Sequence, residues 1–138
     1  MNLRMVRIEI KVNEQTQRFY LAVEEWEPVV GHEIKVGLYR FCTIPLREEM
    51  NISEVTSGAK MLCIPMSIEL MWVTTTKEET VQFFEQLGEH LKRKIERAKD
   101  FEERFKNMQQ TTWDRLGEMP PIENVDTDWR FEESERVH

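Results

Sequence analysis

The fold is decided by residues 76–116, TKEETVQFFEQLGEHLKRKIERAKDFEERFKNMQQTTWDRL, which have the periodicity of one amphipathic helix. Thr76 followed three residues later by Glu79 is a capping box, which starts a helix. Apolar side chains then recur in steps of three and four, at Val81, Phe84, Leu87, Leu91, Ile95, Ala98, Phe101, Phe105 and Met108. At 1.5 Å per residue, even the first 33 residues or so would span roughly 50 Å. We therefore predict a single long C-terminal helix.

Gly88 is the weak position of this helix, because an interior glycine costs about 1 kcal/mol relative to alanine. A break there would give a helical hairpin, but the apolar phase passes from Leu87 to Leu91 unbroken and favours continuity. A helix this long outruns strands of about 20 Å. Its far half is therefore predicted to bury its apolar stripe against a second copy of the chain, through Leu91, Ile95, Ala98, Phe101, Phe105 and Met108. The alternative to a second copy is that the chain folds back on itself, so that Trp113 and Leu116 cover the stripe.

Four earlier segments alternate apolar and polar side chains with the period of half-buried strands. They are residues 6–12, 19–23, 34–44 and 60–75. Gly37 indicates a bulge or a tight bend in the third segment, and Pro65 an edge position, a bulge or a break in the fourth. Apolar side chains keep to the same face throughout residues 60–75, which favours one bent strand in this segment. The sequence predicts an α+β fold: a small antiparallel sheet of three to five strands, meander-like or barrel-like, precedes the helix.

The chain is predicted to form one domain over residues 1–117, with strands within 5–75 and the helix over 76–116. Gly117 and the Pro120–Pro121 pair end every helical possibility. Residues 111–138 carry eight acidic and three basic side chains, and so supply most of the net charge of −7. Residues 118–138 are therefore expected to be an acidic, flexible tail.

The composition indicates a cytoplasmic protein. Hydrophobic residues make up 40% and charged residues 33% of the 138 positions, and no apolar run reaches the 18 residues of a membrane span. The N-terminus opens directly into a charged strand pattern, so no secretory signal is expected. Cys42 and Cys63 are expected to be buried, reduced thiols.

The sequence predicts no catalytic, cofactor-binding or metal-binding site. His32, His90 and His138 have no ligand spacing, and the five glycines are isolated, so neither a metal cluster nor a phosphate-binding loop is indicated. Glu69, inside the most apolar segment, is the best general-base candidate. Its exposure on the outer face of the sheet is the more economical explanation.

The tryptophans are the best indication of function in this sequence. Trp26, Trp113 and Trp129, with Phe131, lie in polar surroundings, and tryptophan is enriched where interfaces concentrate binding energy. We therefore predict a non-catalytic protein-protein interaction module, a homodimeric adaptor or inhibitor that binds another macromolecule through these aromatics and the acidic tail.

The alternative is a nucleic-acid-associated regulator or accessory factor. It would contact phosphates through the basic cluster of the helix, Lys92, Arg93, Lys94 and Arg97. Acidic side chains interleave with these cations in the pattern of ordinary surface pairs, as Glu89 does with Arg93. The negative net charge also argues against nonspecific binding to nucleic acid.

Overall fold

The computed structural model describes residues 8–46, 48–67, 70, 72, 74–98 and 100–125 of the chain. The α+β class is confirmed, but the sheet has seven strands rather than the predicted three to five. The described elements, in chain order, are β1 (Ile10–Val12), β2 (Gln17–Ala22), β3 (Trp26–Val36), β4 (Tyr39–Pro45), β5 (Glu49–Glu54), β6 (Lys60–Pro65), α1 (Lys77–Arg97), α2 (Phe101–Leu116) and β7 (Glu123–Asn124).

Strand β3 is the member that both halves of the sheet share. The antiparallel order is β6-β5-β4-β3-β2-β7, and β1 pairs with β3 beyond the end of β2. The first half of β3 pairs with β2, and its second half pairs with β1 on one edge and with β4 on the other. The two halves meet at Gly31, where a β-carbon would lie only 2.0 Å from the carbonyl oxygen of Thr43. Only glycine permits this approach of β3 to β4.

The sheet has a core on each face of β4. Phe41 belongs to the larger cluster, which contains residues of β3, β4, β5 and both helices. Its neighbour Cys42 belongs to a smaller cluster with Phe19, Ile44 and Val55, against which Leu21, Val29 and Ile122 pack. Adjacent residues of a strand point to opposite faces. The helices therefore cover one face of β4, and the β2 side of the sheet covers the other.

The predicted single helix over 76–116 is wrong, because it consists of two helices. Its start is as predicted: the Thr76 hydroxyl accepts from Glu79 N at 3.1 Å, and the Glu79 carboxylate accepts from Thr76 N at 3.3 Å. Helix α1 continues through Gly88, as the apolar phase indicated. The break comes at Ala98, whose backbone is extended (φ −97°, ψ 112°).

The break turns the apolar stripe back onto the chain's own sheet. Leu91, Ile95, Phe101 and Phe105 are buried in the larger cluster, with Ala98 and Met108 packed against it. Tyr39 meets the Phe101 and Phe105 rings edge-on, with centroids 5.3 Å and 5.5 Å away. The stripe predicted for dimerisation is therefore covered within one chain. The homodimer stays a prediction, but it no longer follows from an uncovered stripe.

The strand boundaries differ from the predicted ones at two positions. Gly37 has a φ of +63° and begins a two-residue turn, with Val36 paired to Tyr39, so the predicted third strand is a hairpin. Strand β6 ends at Pro65, and the single bent strand to residue 75 is wrong: Leu70 and Trp72 have helical backbone.

The segment predicted as an acidic tail begins within the fold. Met119 is buried, Ile122 packs on the smaller cluster, and β7 pairs with Gln17 and Arg18 of β2. Residues 126–138 lie outside the described residues, so a flexible tail beyond β7 stays a prediction.

Candidate binding surface

Strand β1 has an unpaired edge within the described part of the chain. On its other edge, the Glu9 carbonyl accepts from Gly37 N at 2.9 Å, and Asn13 N donates to the Glu33 carbonyl at 2.9 Å. Residues 9, 11 and 13 thus bond to β3. Because alternate residues of a strand direct their backbone groups to opposite edges, Ile10 and Val12 turn theirs away from β3. These donors and acceptors are available to another strand.

An open groove of about 440 Å³ runs beside this edge. Half-buried Ile8 and Ile10 line one side, and a row of exposed side chains on α1 lines the other. We call it the β1–α1 groove, and its lining residues are Ile8, Ile10, Gln82, Glu85, Gln86 and Glu89. The four helical positions follow the i, i+3, i+4, i+7 spacing of one helix face. Neither Glu85 nor Glu89 forms an ion pair among the described residues.

Gly88 sets how closely α1 approaches β1. A β-carbon on Gly88 would lie 2.5 Å from Ile10 Cγ2 and 3.3 Å from Ile34 Cγ2. Both distances are shorter than the roughly 3.5–4.0 Å at which carbon atoms pack. The glycine that looked like a defect in the helix therefore allows close contact between α1 and β1. That contact places Glu85 and Glu89 next to the β1 edge.

Two of the predicted partner-binding residues, Trp26 and Trp113, make hydrogen bonds inside the chain. Trp26 Nε1 donates to the Gly117 carbonyl at 3.2 Å, and Trp113 Nε1 donates to the Thr56 carbonyl at 2.9 Å. Both side chains are half-buried, and their hydrogen bonds join the end of α2 to the start of β3 and to the β5–β6 turn. Partner binding by their exposed edges stays a prediction. Trp129 and Phe131 lie outside the described residues.

The basic cluster of α1 is spread around the helix. Lys92 and Lys94 point about 160° apart, because successive helical residues are rotated by about 100°. Lys92 is half-buried, whereas Arg93, Lys94 and Arg97 are exposed. The four cations predicted for the nucleic-acid alternative therefore do not form one flat face.

Two buried side chains with catalytic potential are core residues. His32 is 2% exposed, with its Nδ1 3.2 Å from the Asn13 carbonyl and its ring 5.7 Å from that of Phe84. Burial lowers the pKa of His32 and raises the pKa of the Cys42 thiol, since it disfavours the charged form of each. Cys63, predicted to be buried, is exposed.

The structure does not describe the predicted base candidate, and its described part holds no metal-binding group. The described residues contain no group of three or more histidines, cysteines and acids that could hold a metal ion. Glu69 lies outside the described residues, and its role as a general base stays untested.

Sequence reasoning missed the buried carboxylate of Glu54, which is 3% exposed. It accepts from Thr56 N at 3.0 Å, from the Thr56 hydroxyl at 2.6 Å and from Ser57 N at 2.8 Å. An acidic residue two positions before a threonine and three positions before a serine is typical of a turn, and this pattern is present in the sequence. Glu54 fixes the β5–β6 turn.

No protein-family model, curated protein or solved structure matches the chain. Within the described part, no helix combines the length and hydropathy that a membrane span requires. The best support for a function therefore comes from the geometry of the β1–α1 groove.

Proposed function

We propose that this chain is a non-catalytic protein-binding module, an adaptor or inhibitor that binds its partner at the β1–α1 groove. The observation that carries the proposal is the unpaired β1 edge at Ile10 and Val12, next to a groove that Ile10 shares with a row of polar side chains on α1. A free edge supplies hydrogen bonds to any extended chain, and neighbouring side chains select among chains.

The shape of the groove supports binding rather than catalysis. Its helical wall is exposed, and the groove is open to solvent. Catalytic sites are commonly enclosed, because excluding water strengthens the electrostatic interactions that act on the reacting groups. Exposed Glu85 and Glu89 are suited to attracting a cationic partner, since their charges add a long-range term to complementarity.

A photocrosslinking experiment tests this function. Gln86 is replaced by p-benzoylphenylalanine, and the full-length chain is irradiated in the cells that produce it. We expect a discrete covalent adduct with a protein. The matched control carries the same group at Glu103, an exposed position of α2 outside the groove. No adduct at Gln86, or the same adduct from both positions, would contradict a partner site in the groove.

Exposed cations on α1 support a second candidate, a nucleic-acid-associated factor. Arg93, Lys94 and Arg97 are exposed and have no ion pair among the described residues. Three phosphate contacts predict that log affinity falls with log salt at a slope of about −2 to −3. The charge-reversed Arg93→Glu/Lys94→Glu variant should abolish such binding. An unchanged affinity would remove this candidate.

A further inference from the structure

We infer that the β1–α1 groove binds an extended peptide as an added strand beside β1, with lysine or arginine at two alternate positions of that peptide. This inference rests on the proposed function and names the partner class for the same groove. It follows from the hydrogen-bonding pattern of β1, from the spacing of two carboxylates on α1 and from the charges on the opposite face of the sheet.

The backbone pattern sets the form and length of the ligand. Ile10 and Val12 alternate with Glu9, Lys11 and Asn13, which bond to β3, so their N–H and C=O groups line the unpaired edge of this five-residue segment. Five residues of strand span about 17 Å. A ligand segment of about five residues can therefore pair along this edge, as in strand addition to exposed sheet edges.

The carboxylate spacing sets the position of the cations. Glu85 and Glu89 lie one turn apart along α1, which corresponds to about 6 Å at 1.5 Å per residue. Side chains two positions apart on one face of a strand are separated by about 6.8 Å. Since α1 lines the same groove as Ile8 and Ile10, two cations at alternate positions of an added strand can each meet one carboxylate.

The opposite face of the sheet selects against the reversed arrangement. Lys11 points away from the face that carries Ile10, and it lies directly across from Lys35 in the β1–β3 pair. Both lysines are exposed. Exposed Glu9 shares this face, two residues before Lys11, so an added strand would meet one carboxylate beside two ammonium groups there. A second cation of the ligand would meet a like charge on this face, which destabilises strand pairing. The groove lining on α1 carries two carboxylates, Glu85 and Glu89, and no cation, so we expect the two cations to share the face of the ligand that points to α1.

Two blocked pentapeptides test the face requirement. The first, TRTRT, presents both arginines on one face of a strand, and threonine favours the extended conformation. The second, TRRTT, has the same composition but places them on opposite faces. Each is titrated into the ¹⁵N-labelled full-length chain, with the Ile10 and Val12 amide resonances as the readout. We expect TRTRT to shift both resonances, and TRRTT to bind about 2- to 5-fold more weakly because one ion pair is lost.

Variants of the chain and of the peptide separate charge from strand pairing. The Glu85→Gln/Glu89→Gln chain should bind TRTRT about 2- to 30-fold more weakly, whereas the matched Glu102→Gln/Glu103→Gln chain, altered on α2, should bind it as before. Methylation of the peptide nitrogens at positions 2 and 4, or at positions 1, 3 and 5, blocks opposite edges of the ligand. Only one of these sets should abolish binding.

The outcomes distinguish this inference from the proposed function. A crosslink at Gln86 combined with equal binding of TRTRT and TRRTT overturns the cationic strand and leaves a protein-binding groove. Equal effects of the two methylation sets overturn strand pairing. A solution mass of twice 16.6 kDa, with no shift of the Ile10 and Val12 resonances by TRTRT, would assign the edge to a second copy of the chain and overturn the inference.

Discussion

Replacing Gly88 by alanine should destabilise the protein, although alanine is the better helix former. On propensity alone the change should stabilise α1 by about 1 kcal/mol. The new methyl group would lie 2.5 Å from Ile10 Cγ2, at least 1 Å inside the normal packing distance of about 3.5 Å. Overpacking of this kind costs about 1–3 kcal/mol. The expected net effect is therefore a loss of up to about 2 kcal/mol in the free energy of unfolding.

A double-mutant cycle with Ile10→Ala isolates the steric term. That substitution removes Cγ2 of residue 10, so Gly88→Ala in the Ile10→Ala background should show the propensity gain of up to about 1 kcal/mol. The coupling between the two positions should therefore be about 1–3 kcal/mol. Urea unfolding followed by circular dichroism measures the free energy of unfolding of each of the four proteins. An unchanged m-value shows that all four undergo the same unfolding transition.

The propensity term is measured separately at Gln86 of the same helix, which is exposed. The difference between Gln86→Gly and Gln86→Ala should be about 1 kcal/mol in favour of alanine. If Gly88→Ala stabilises the chain by this amount with Ile10 present as well as absent, the close contact between α1 and β1 is wrong. The β1–α1 groove would then lose the geometry on which it depends.

Three further predictions concern buried and exposed groups. Glu54→Ala should lower the free energy of unfolding by about 3 kcal/mol in urea titrations, because its carboxylate accepts three hydrogen bonds, whereas exposed Glu48→Ala should change it by less than about 0.5 kcal/mol. Burial lowers the pKa of His32, so below about pH 6.5 the unfolded chain binds more protons than the folded chain. The free energy of unfolding therefore decreases as the pH is lowered. His32→Gln should flatten that dependence by up to about 1.4 kcal/mol per pH unit between about pH 6.5 and 5.5; equal slopes would contradict a neutral buried imidazole. Ellman's reagent should titrate exposed Cys63 in the native chain and buried Cys42 only in denaturant; two fast thiols would place Cys42 at the surface.

The fold class and the start of α1 could be predicted because local chemistry determines both. The capping box at Thr76 needs only Glu79, and both lie within one turn. The break at Ala98 was hidden, because the apolar spacing runs from Ile95 to Phe101 without a slip. Asp100, followed by two glutamates, is a helix-start signal that the periodicity outweighed.

Strand parity failed where both faces of a strand are buried. Val36 pairs with Tyr39 across the turn, so the residues that face the helices change from even positions in β3 to odd positions in β4. Cys42 and Ile44 continued the even parity only because a second core lies on the other face of β4. An alternation rule assumes one polar face, and β4 has none.

The candidate site could not be predicted from the sequence, because an unpaired edge is a property of the assembled sheet. The polar positions Gln82, Glu85, Gln86 and Glu89 have the pattern of an ordinary solvated helix face, and Ile8 and Ile10 have that of an ordinary half-buried strand. Their juxtaposition depends on Gly88, whose local signal indicated only helix weakness. The sequence also did not indicate the intrachain hydrogen bonds of Trp26 and Trp113, because their polar neighbours do not reveal the carbonyl groups to which the two indoles donate.

Pairing of β7 with β2 has a consequence for synthesis of the chain. Gln17 and its partner Asn124 are 107 residues apart. On the ribosome, about 5–20 residues are added per second, so β2 emerges roughly 5–20 s before the strand that covers its outer edge. Throughout that interval the outer edge of β2 stays open, and the Phe19 cluster lacks Ile122. The two-residue β7, the shortest strand of the described sheet, is therefore the last segment needed to protect the first hairpin to appear.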